Sequence, residues 1–224
     1  MYNCSLRCSS VIQLVIRLPN IIYRDYVQIP VERVGVLVGR GGSVKREIED
    51  TYDVKLDVDS STGRVCIELL DTSDPAKLLT VKNIVQAIGY GINPERALKI
   101  FSDEDSAIHV IDLKHEVGGS RNNLVRIKGR IIGERGKARR LIEELTGTAI
   151  AVSENAVAIA GKLENVEVAR RAIEMLISGS PHSVVWRYLY AKRRQLKRRG
   201  FILWEPRQLP LEELEGEGEG EEGG

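Results

Sequence analysis

Between residues 24 and 90 the spacing of apolar positions changes period several times. Val27, Ile29 and Val31 alternate with Gln28 and Glu32, which predicts a half-buried strand. Val44, Ile48 and Tyr52 then fall at helical spacing. The alternations Val54, Leu56, Val58 and Val65, Ile67, Leu69 predict two further strands, joined by a polar turn at 60–63. Asp74 as an N-cap ahead of Pro75 predicts a closing helix to about Ile88.

The chain carries this unit twice. Displaced by 94 positions, Leu37-Val38-Gly39-Arg40-Gly41-Gly42 falls on Ile131-Ile132-Gly133-Glu134-Arg135-Gly136. Lys45-Arg46 falls on Arg139-Arg140, Ile48-Glu49 on Ile142-Glu143, and Leu56 and Val58 on Ile150 and Val152. In the second copy Val125 and Ile127 alternate with Arg126 and Lys128, which predicts its opening strand, and strands follow at 148–152 and 157–160. A last helix buries Val166, Ala169, Ala172, Ile173 and Leu176 at i, i+3, i+4, i+7 spacing. Both copies read as strand, helix, Gly-x-x-Gly, helix, strand, strand, helix.

Between the copies, Pro94 opens a short helix, 108–113 reads as a strand and 120–123 as a loop. Beyond them, Ser180-Pro181 starts a helix in which residues 186–199 carry seven basic side chains. The resulting divisions are an N-terminal extension (1–23), a first domain (24–90), a structured connector (91–122), a second domain (123–179), a basic helix (180–203) and an acidic Glu/Gly tail (204–224), expected to be disordered.

Charge changes the picture more than composition does. The formal net charge of the 224 residues is +1, but 211–224 hold seven Glu and no basic residue, so residues 1–210 carry +1 plus 7, or +8. A basic body favours an anionic partner such as nucleic acid. Three cysteines without a Cys-x-x-Cys pair support neither a disulfide framework nor a zinc site, and His109, His115 and His182 lack ligand spacing. The reading is a reducing, cytoplasmic setting without metal or cofactor. The apolar run at 11–16 is too short for a membrane span, and Arg17 follows it without a small-residue cleavage site.

Glycine pairs flanked by positive charge fit a phosphate-binding loop, because bare backbone and a following helix N-terminus receive anions. The nucleotide loop is excluded: the residue five before Gly136 is Ile131, and Ala138 stands where a magnesium-binding hydroxyl is needed. No Gly-x-Gly-x-x-Gly occurs either. What remains is a Gly-x-x-Gly loop that clamps a nucleic-acid backbone.

Such a loop between two helices beside a three-stranded sheet resembles the KH domain. The blocks Arg121-Asn-Asn-Leu-Val-Arg-Ile-Lys-Gly-Arg-Ile-Ile-Gly-Glu-Arg-Gly-Lys, Gly91-Ile-Asn-Pro-Glu-Arg-Ala-Leu and Ser180-Pro-His-Ser-Val-Val-Trp-Arg-Tyr-Leu are similar to the two-KH ribosome-assembly proteins of the archaeal Pno/Dim type. The likeness runs from about residue 25 to 199. It implies an α+β chain of two tandem type I KH domains, each a three-stranded antiparallel sheet packed on three helices, with a basic C-terminal helix. It also implies a non-catalytic protein that binds single-stranded small-subunit ribosomal RNA near its 3′ end. The implied setting is a pre-30S particle, beside a Nob-type endonuclease.

Carried onto this chain, the RNA site takes Gly39, Arg40, Gly41, Gly42, Lys45 and Arg46 from the first copy. From the second it takes Gly133, Glu134, Arg135, Gly136, Lys137, Arg139 and Arg140, approached over Arg126, Lys128 and Arg130. Bases rest on an apolar groove for which Ile132, Ile150 and Val152 are candidates. Arg187, Lys192, Arg193 and Arg194 extend the basic surface, with the neighbouring aromatics assigned to the core. Glu134 departs from the usual basic or small loop residue, and Gly41 adds a third glycine to its loop. Two alternatives keep the same loops or none of them: a single-stranded DNA or RNA regulator, and a protein-binding scaffold in an RNA-processing complex. A processing enzyme would need a carboxylate cluster or metal site that the sequence does not show.

Overall fold

The computed structural model describes residues 23–70, 74–116, 118 and 120–202, with side chains through 196. The N-terminal extension to residue 22, the tail from residue 203 and the side chains of Lys197, Arg198 and Arg199 lie outside the described residues. The chain divides into two compact units, 1–89 and 90–224.

In the first unit the order is β1 (Arg24–Gln28), α1 (Val31–Val38), a 3-10 turn at Arg40–Gly42, α2 (Ser43–Tyr52), β2 (Val54–Val58), β3 (Arg64–Leu69) and α3 (Ala76–Tyr90). The strands form an antiparallel sheet in the order β1-β3-β2, with Tyr26 opposite Cys66 and Leu56 opposite Ile67. The first strand is shorter than its alternation predicts. Pro30 has no N–H for a ladder and stands at the N-cap of α1, so Val31 opens a helix and is half-exposed. Asp74 caps α3 as expected, Oδ1 accepting from the Ala76 amide at 3.1 Å. The 60–63 turn is built by Asp59, whose carboxylate accepts from the Ser61 and Thr62 hydroxyls at 2.6 and 2.7 Å. Its Gly63 is packed so closely on Ile29 that a Cβ would lie 2.3 Å from the Ile29 carbonyl oxygen.

The second unit runs α4 (Pro94–Phe101), β4 (Ser106–Asp112), α5 (Leu113–Glu116), α6 (Arg121–Ile132), a 3-10 turn at Glu134–Gly136, α7 (Lys137–Thr146), β5 (Ala149–Val152), β6 (Ala156–Lys162), α8 (Leu163–Ile177) and α9 (His182–Ile202). Its sheet is antiparallel in the order β4-β6-β5, the same arrangement as the first. Asn93 caps α4, accepting from the Glu95 amide at 2.9 Å, with Pro94 at its first position as predicted.

The opening strand expected around Val125 and Ile127 is wrong: both lie in α6, as do three of the four residues read as a loop at 120–123. The edge strand is β4, inside the segment read as a connector. In α6 the side chains of Ile127 and Ile131 are buried four residues apart, a helical and not an alternating period. With Leu113, Ile142, Ile150, Val157, Ile159, Ile173, Leu176, Val185 and Leu189 they form the core of this unit.

Candidate nucleic-acid interface

The two loops have nearly the same backbone. Gly39 (φ 72, ψ 177) and Gly133 (φ 70, ψ 177) end α1 and α6, and Gly42 (φ 81, ψ 17) and Gly136 (φ 76, ψ 14) stand left-handed before α2 and α7. The residue between is left-handed too: Gly41 (φ 58) in the first loop, Arg135 (φ 51) in the second. The third glycine of the first loop therefore relaxes a position that the second loop fills with a strained arginine.

The four loop glycines serve different purposes. A Cβ on Gly133 would meet the Ala138 Cβ at 2.6 Å and its amide nitrogen at 2.9 Å; one on Gly39 would meet Val44 Cγ2 at 2.7 Å. These two are required by the turn of the chain onto its own next helix. A Cβ on Gly136 would have only Arg140 Nε at 3.9 Å, and one on Gly42 only the Arg46 guanidinium at 3.6 Å, so at these positions the bare backbone faces outward.

The expected cations separate into two groups. Arg40, Arg126, Arg135, Lys137, Arg187, Arg193 and Arg194 are exposed. Others are engaged by the fold. Lys128 Nζ donates to the Glu154 carbonyl at 2.9 Å, Lys45 lies 3.8 Å from Glu49, and Arg130 Nη2 donates to the Ser180 carbonyl at 2.5 Å. Arg46 and Arg140 are exposed too, but their guanidinium groups turn back on their own loops: Arg46 donates to the Gly41 carbonyl, and Arg140 to those of Arg135 at 2.5 Å and Gly136 at 3.4 Å. Arg139 is half-buried with Nε enclosed and without a partner among the described residues.

Arg135, Lys137 and Arg140 line one open hollow of about 540 Å³ with Glu134, Leu141 and Glu144. The start of α9 is tied near this loop, because the His182 ring nitrogen Nε2 is 2.9 Å from the Arg130 carbonyl and the ring leans on Trp186, centroids 5.6 Å apart. Val185 and Leu189 are buried and Trp186 and Tyr188 half-buried, as expected, but Tyr190, also assigned to the core, is 49% exposed; burial pushes the Tyr188 hydroxyl above its ordinary pKa. Lys192 faces Glu164 and Glu167 of α8, and Arg193 and Arg194 lie roughly 17 Å along α9 from His182 at ~1.5 Å per residue. Of the four cations predicted on α9, Arg187 is thus nearest along that helix to its junction with α6.

The apolar floor differs from expectation. Ile150 is buried in the core, Val152 is half-buried against it, and of the three candidates only Ile132 is exposed. Beside it on α6, at i and i+4 before i+7, stand Val125 (61% exposed) and Gly129, and α1 repeats the stripe as Val31 (52% exposed), Gly35 and Val38. A Cβ on either Gly35 or Gly129 would meet nothing within 4 Å. Glycine inside a helix is less favourable than alanine by about 0.5–1 kcal/mol, and neither packing nor backbone angle requires it here. The stripe escaped the sequence reading, although the 94-residue displacement pairs Val31 with Val125, Gly35 with Gly129 and Val38 with Ile132.

Glu143 was also missed as a structural group. It is 8% exposed, and its Oε1 accepts from the Ile150 amide at 2.7 Å and from Arg96 Nη1 at 3.2 Å. Glu49 does the same for the Leu56 amide at 2.8 Å. Each carboxylate ties the helix behind a glycine loop to the next strand. Among the described residues no group of three His, Cys, Asp or Glu side chains is placed to hold a metal ion, and no helix is long and apolar enough to cross a membrane.

Two glycine loops, each at the foot of a helix and beside an apolar stripe, give the chain a tandem architecture suited to receive a nucleic-acid backbone. Residues 24–113 match the KH domain and residues 107–194 the eukaryotic-type (type I) KH domain. A KH domain-containing protein of Methanocaldococcus jannaschii is 44% identical over 80% of this chain and 78% of its own length. The RNA-binding protein pno1 of Dictyostelium discoideum is 28% identical over 81% and 77%. The Dim2 protein solved in the a/eIF2alpha-aDim2p-rRNA complex from Pyrococcus horikoshii superposes with a TM-score of 0.73 at 38% identity, covering 79% of this chain and 97% of that one. The chain belongs to the Pno/Dim type of two-KH-domain proteins.

Proposed function

We propose that this protein binds single-stranded small-subunit ribosomal RNA near its 3′ end and acts without catalysis in assembly of the small subunit. The observation that carries the reading is the repeated loop geometry: outward-facing Gly42 and Gly136, with Arg40, Arg135 and Lys137 exposed beside them. Phosphates are received by loop amides and the N-terminal ends of α2 and α7, while bases lie over Val125, Gly129 and Ile132 or their counterparts. Arg126 and Arg187 supply longer-range attraction, and Arg193 and Arg194 serve RNA that continues along α9. The ribosomal RNA in the Pyrococcus complex supports the choice of ligand. A pre-30S particle is the proposed setting, with a Nob-type endonuclease as neighbour, in the cytoplasm.

The test is fluorescence anisotropy of an oligoribonucleotide from the 3′ end of small-subunit RNA, against a scrambled sequence and the deoxy form, over a salt series. Sequence-preferring binding should weaken with salt, with a log–log slope of about −0.7 per phosphate neutralised. Glu134→Asp with Arg135→Asp should remove that preference, and Arg40→Asp with Gly41→Asp reports the share of the first loop. Equal affinity for all three oligonucleotides, or no binding at low salt, would refute the proposal.

A further inference from the structure

We infer that Arg140 and Arg46 are positioning residues that hold the glycine loops in their binding shape, and are not themselves phosphate ligands. The inference rests on the nucleic-acid reading above but is carried by separate observations.

In the second loop every carbonyl has a donor. The Gly133 oxygen accepts from the Gly136 amide at 3.2 Å and the Glu134 oxygen from the Lys137 amide. The carbonyls of Arg135 and Gly136 face the Arg140 guanidinium, at 2.5 Å from Nη2 and 3.4 Å from Nε. In the first loop the Gly39 oxygen accepts from the Gly42 amide at 3.3 Å, the Arg40 oxygen from the Ser43 amide, and the Gly41 oxygen from Arg46 Nη2. The clamp recurs at the same repeat position in two loops of different sequence, Arg-Gly in one and Glu-Arg in the other.

Its physical purpose follows from the dihedral angles. Left-handed backbone at residue 135 or 41 turns that carbonyl out of line with the helix that follows, and its donor is the arginine side chain. An unsatisfied carbonyl beside the site would present negative charge to an incoming phosphate. A guanidinium satisfies it with a charge-assisted bond, and in the second loop its planar fork spans two successive oxygens where an ammonium bonds as a point charge. The carbonyl ends of the loop dipoles are thereby turned to the arginine, leaving the amide side for the ligand. Freedom at Gly41 and strain at Arg135 both make the loop dependent on this restraint.

The deciding measurements use the full chain. In RNA-free protein, hydrogen exchange of the Gly136 amide, which is bonded to the Gly133 carbonyl, should accelerate at least fivefold in Arg140→Lys and stay unchanged in Lys137→Gln. In the salt series, Arg140→Lys should bind RNA about tenfold more weakly at every salt concentration with the wild-type slope, as loss of one charge-assisted bond implies. Lys137→Gln should instead flatten the slope by about 0.7. Unaltered exchange with a flattened slope in Arg140→Gln would make Arg140 a phosphate ligand and overturn the inference. If the wild type binds no RNA, the ligand assignment fails while exchange in the free protein still decides the clamp.

Discussion

Replacing Gly129 by alanine should make the protein more stable and a poorer ligand-binder at once. The residue lies inside α6, its helix angles suit alanine, and the added methyl meets nothing within 4 Å. Helix propensity then favours the variant by about 0.5–1 kcal/mol, or roughly 2–8 °C in the melting temperature of a unit of this size. The same methyl would project between Val125 and Ile132, where the proposed function places a base. Losing contact with one base weakens binding by about 1–2 kcal/mol, near tenfold. Thermal unfolding by circular dichroism and anisotropy titration on one preparation give both numbers. Affinity within twofold of wild type would show that the stripe is not a contact surface. A lower melting temperature would show that the fold itself needs the glycine.

Gly133→Ala should lose roughly 2–5 kcal/mol in urea unfolding, because its backbone region is nearly exclusive to glycine and the Cβ would press on Ala138, whereas Gly136→Ala should lose only about 1. Similar midpoints for the two would refute the division of roles between the paired glycines. Glu143→Ala leaves the buried Ile150 amide without its acceptor and should lose about 2–3 kcal/mol by the same assay, with Glu143→Gln nearer 1. Acid should destabilise the first unit. The bond from Lys82 holds the Asp25 carboxyl below its ordinary value, and the bonds from Ser61 and Thr62 do the same for Asp59. Carboxyls with lowered folded-state pKa contribute fully above the unfolded value near 3.9 and progressively less as pH falls through the folded values, so stability measured from pH 5 to 2 should drop, and less steeply in Asp25→Asn.

The first unit was legible almost element by element, because strand alternation, the Asp74 cap and the polar turn are local signals. In the second unit the loop and α7 were legible through the 94-residue displacement, and α4, β4, β6 and α8 through their own local periodicity. The displacement holds from the loop through the next helix to β5, then falls to 92 at β6, where Ile159 pairs with Ile150 as Ile67 pairs with Leu56; ahead of the loop, β1 begins at 24 and β4 at 106, a displacement of 82. The missing 12 positions (94 minus 82) lie between strand and helix, where the second unit adds α5 and an extra turn at the start of α6. Sliding the sequence at one fixed displacement therefore placed a strand where the chain is already helical. At the site, glycines and charges were legible as residue types. Their states were not, since a guanidinium turned back on its own loop and one turned to solvent look alike in a string of letters. Glu143 was visible in the repeat as a partner of Glu49, but its burial follows from the strand that crosses it.

The two carboxylate ties bear on the order in which each unit assembles. Glu49 reaches the Leu56 amide and Glu143 the Ile150 amide, each seven positions along the chain. A helix, a turn and the start of a strand are thus closed by a loop short enough to form within about a microsecond. The outer pairings span far more chain, 44 positions from Arg24 to Glu68 and 56 from Ser106 to Lys162. Their closure entropy is larger and must be met by contacts already made. The helix behind each glycine loop and the strand that follows it should therefore form the segment on which the rest of the unit condenses, with the edge strand the last to join.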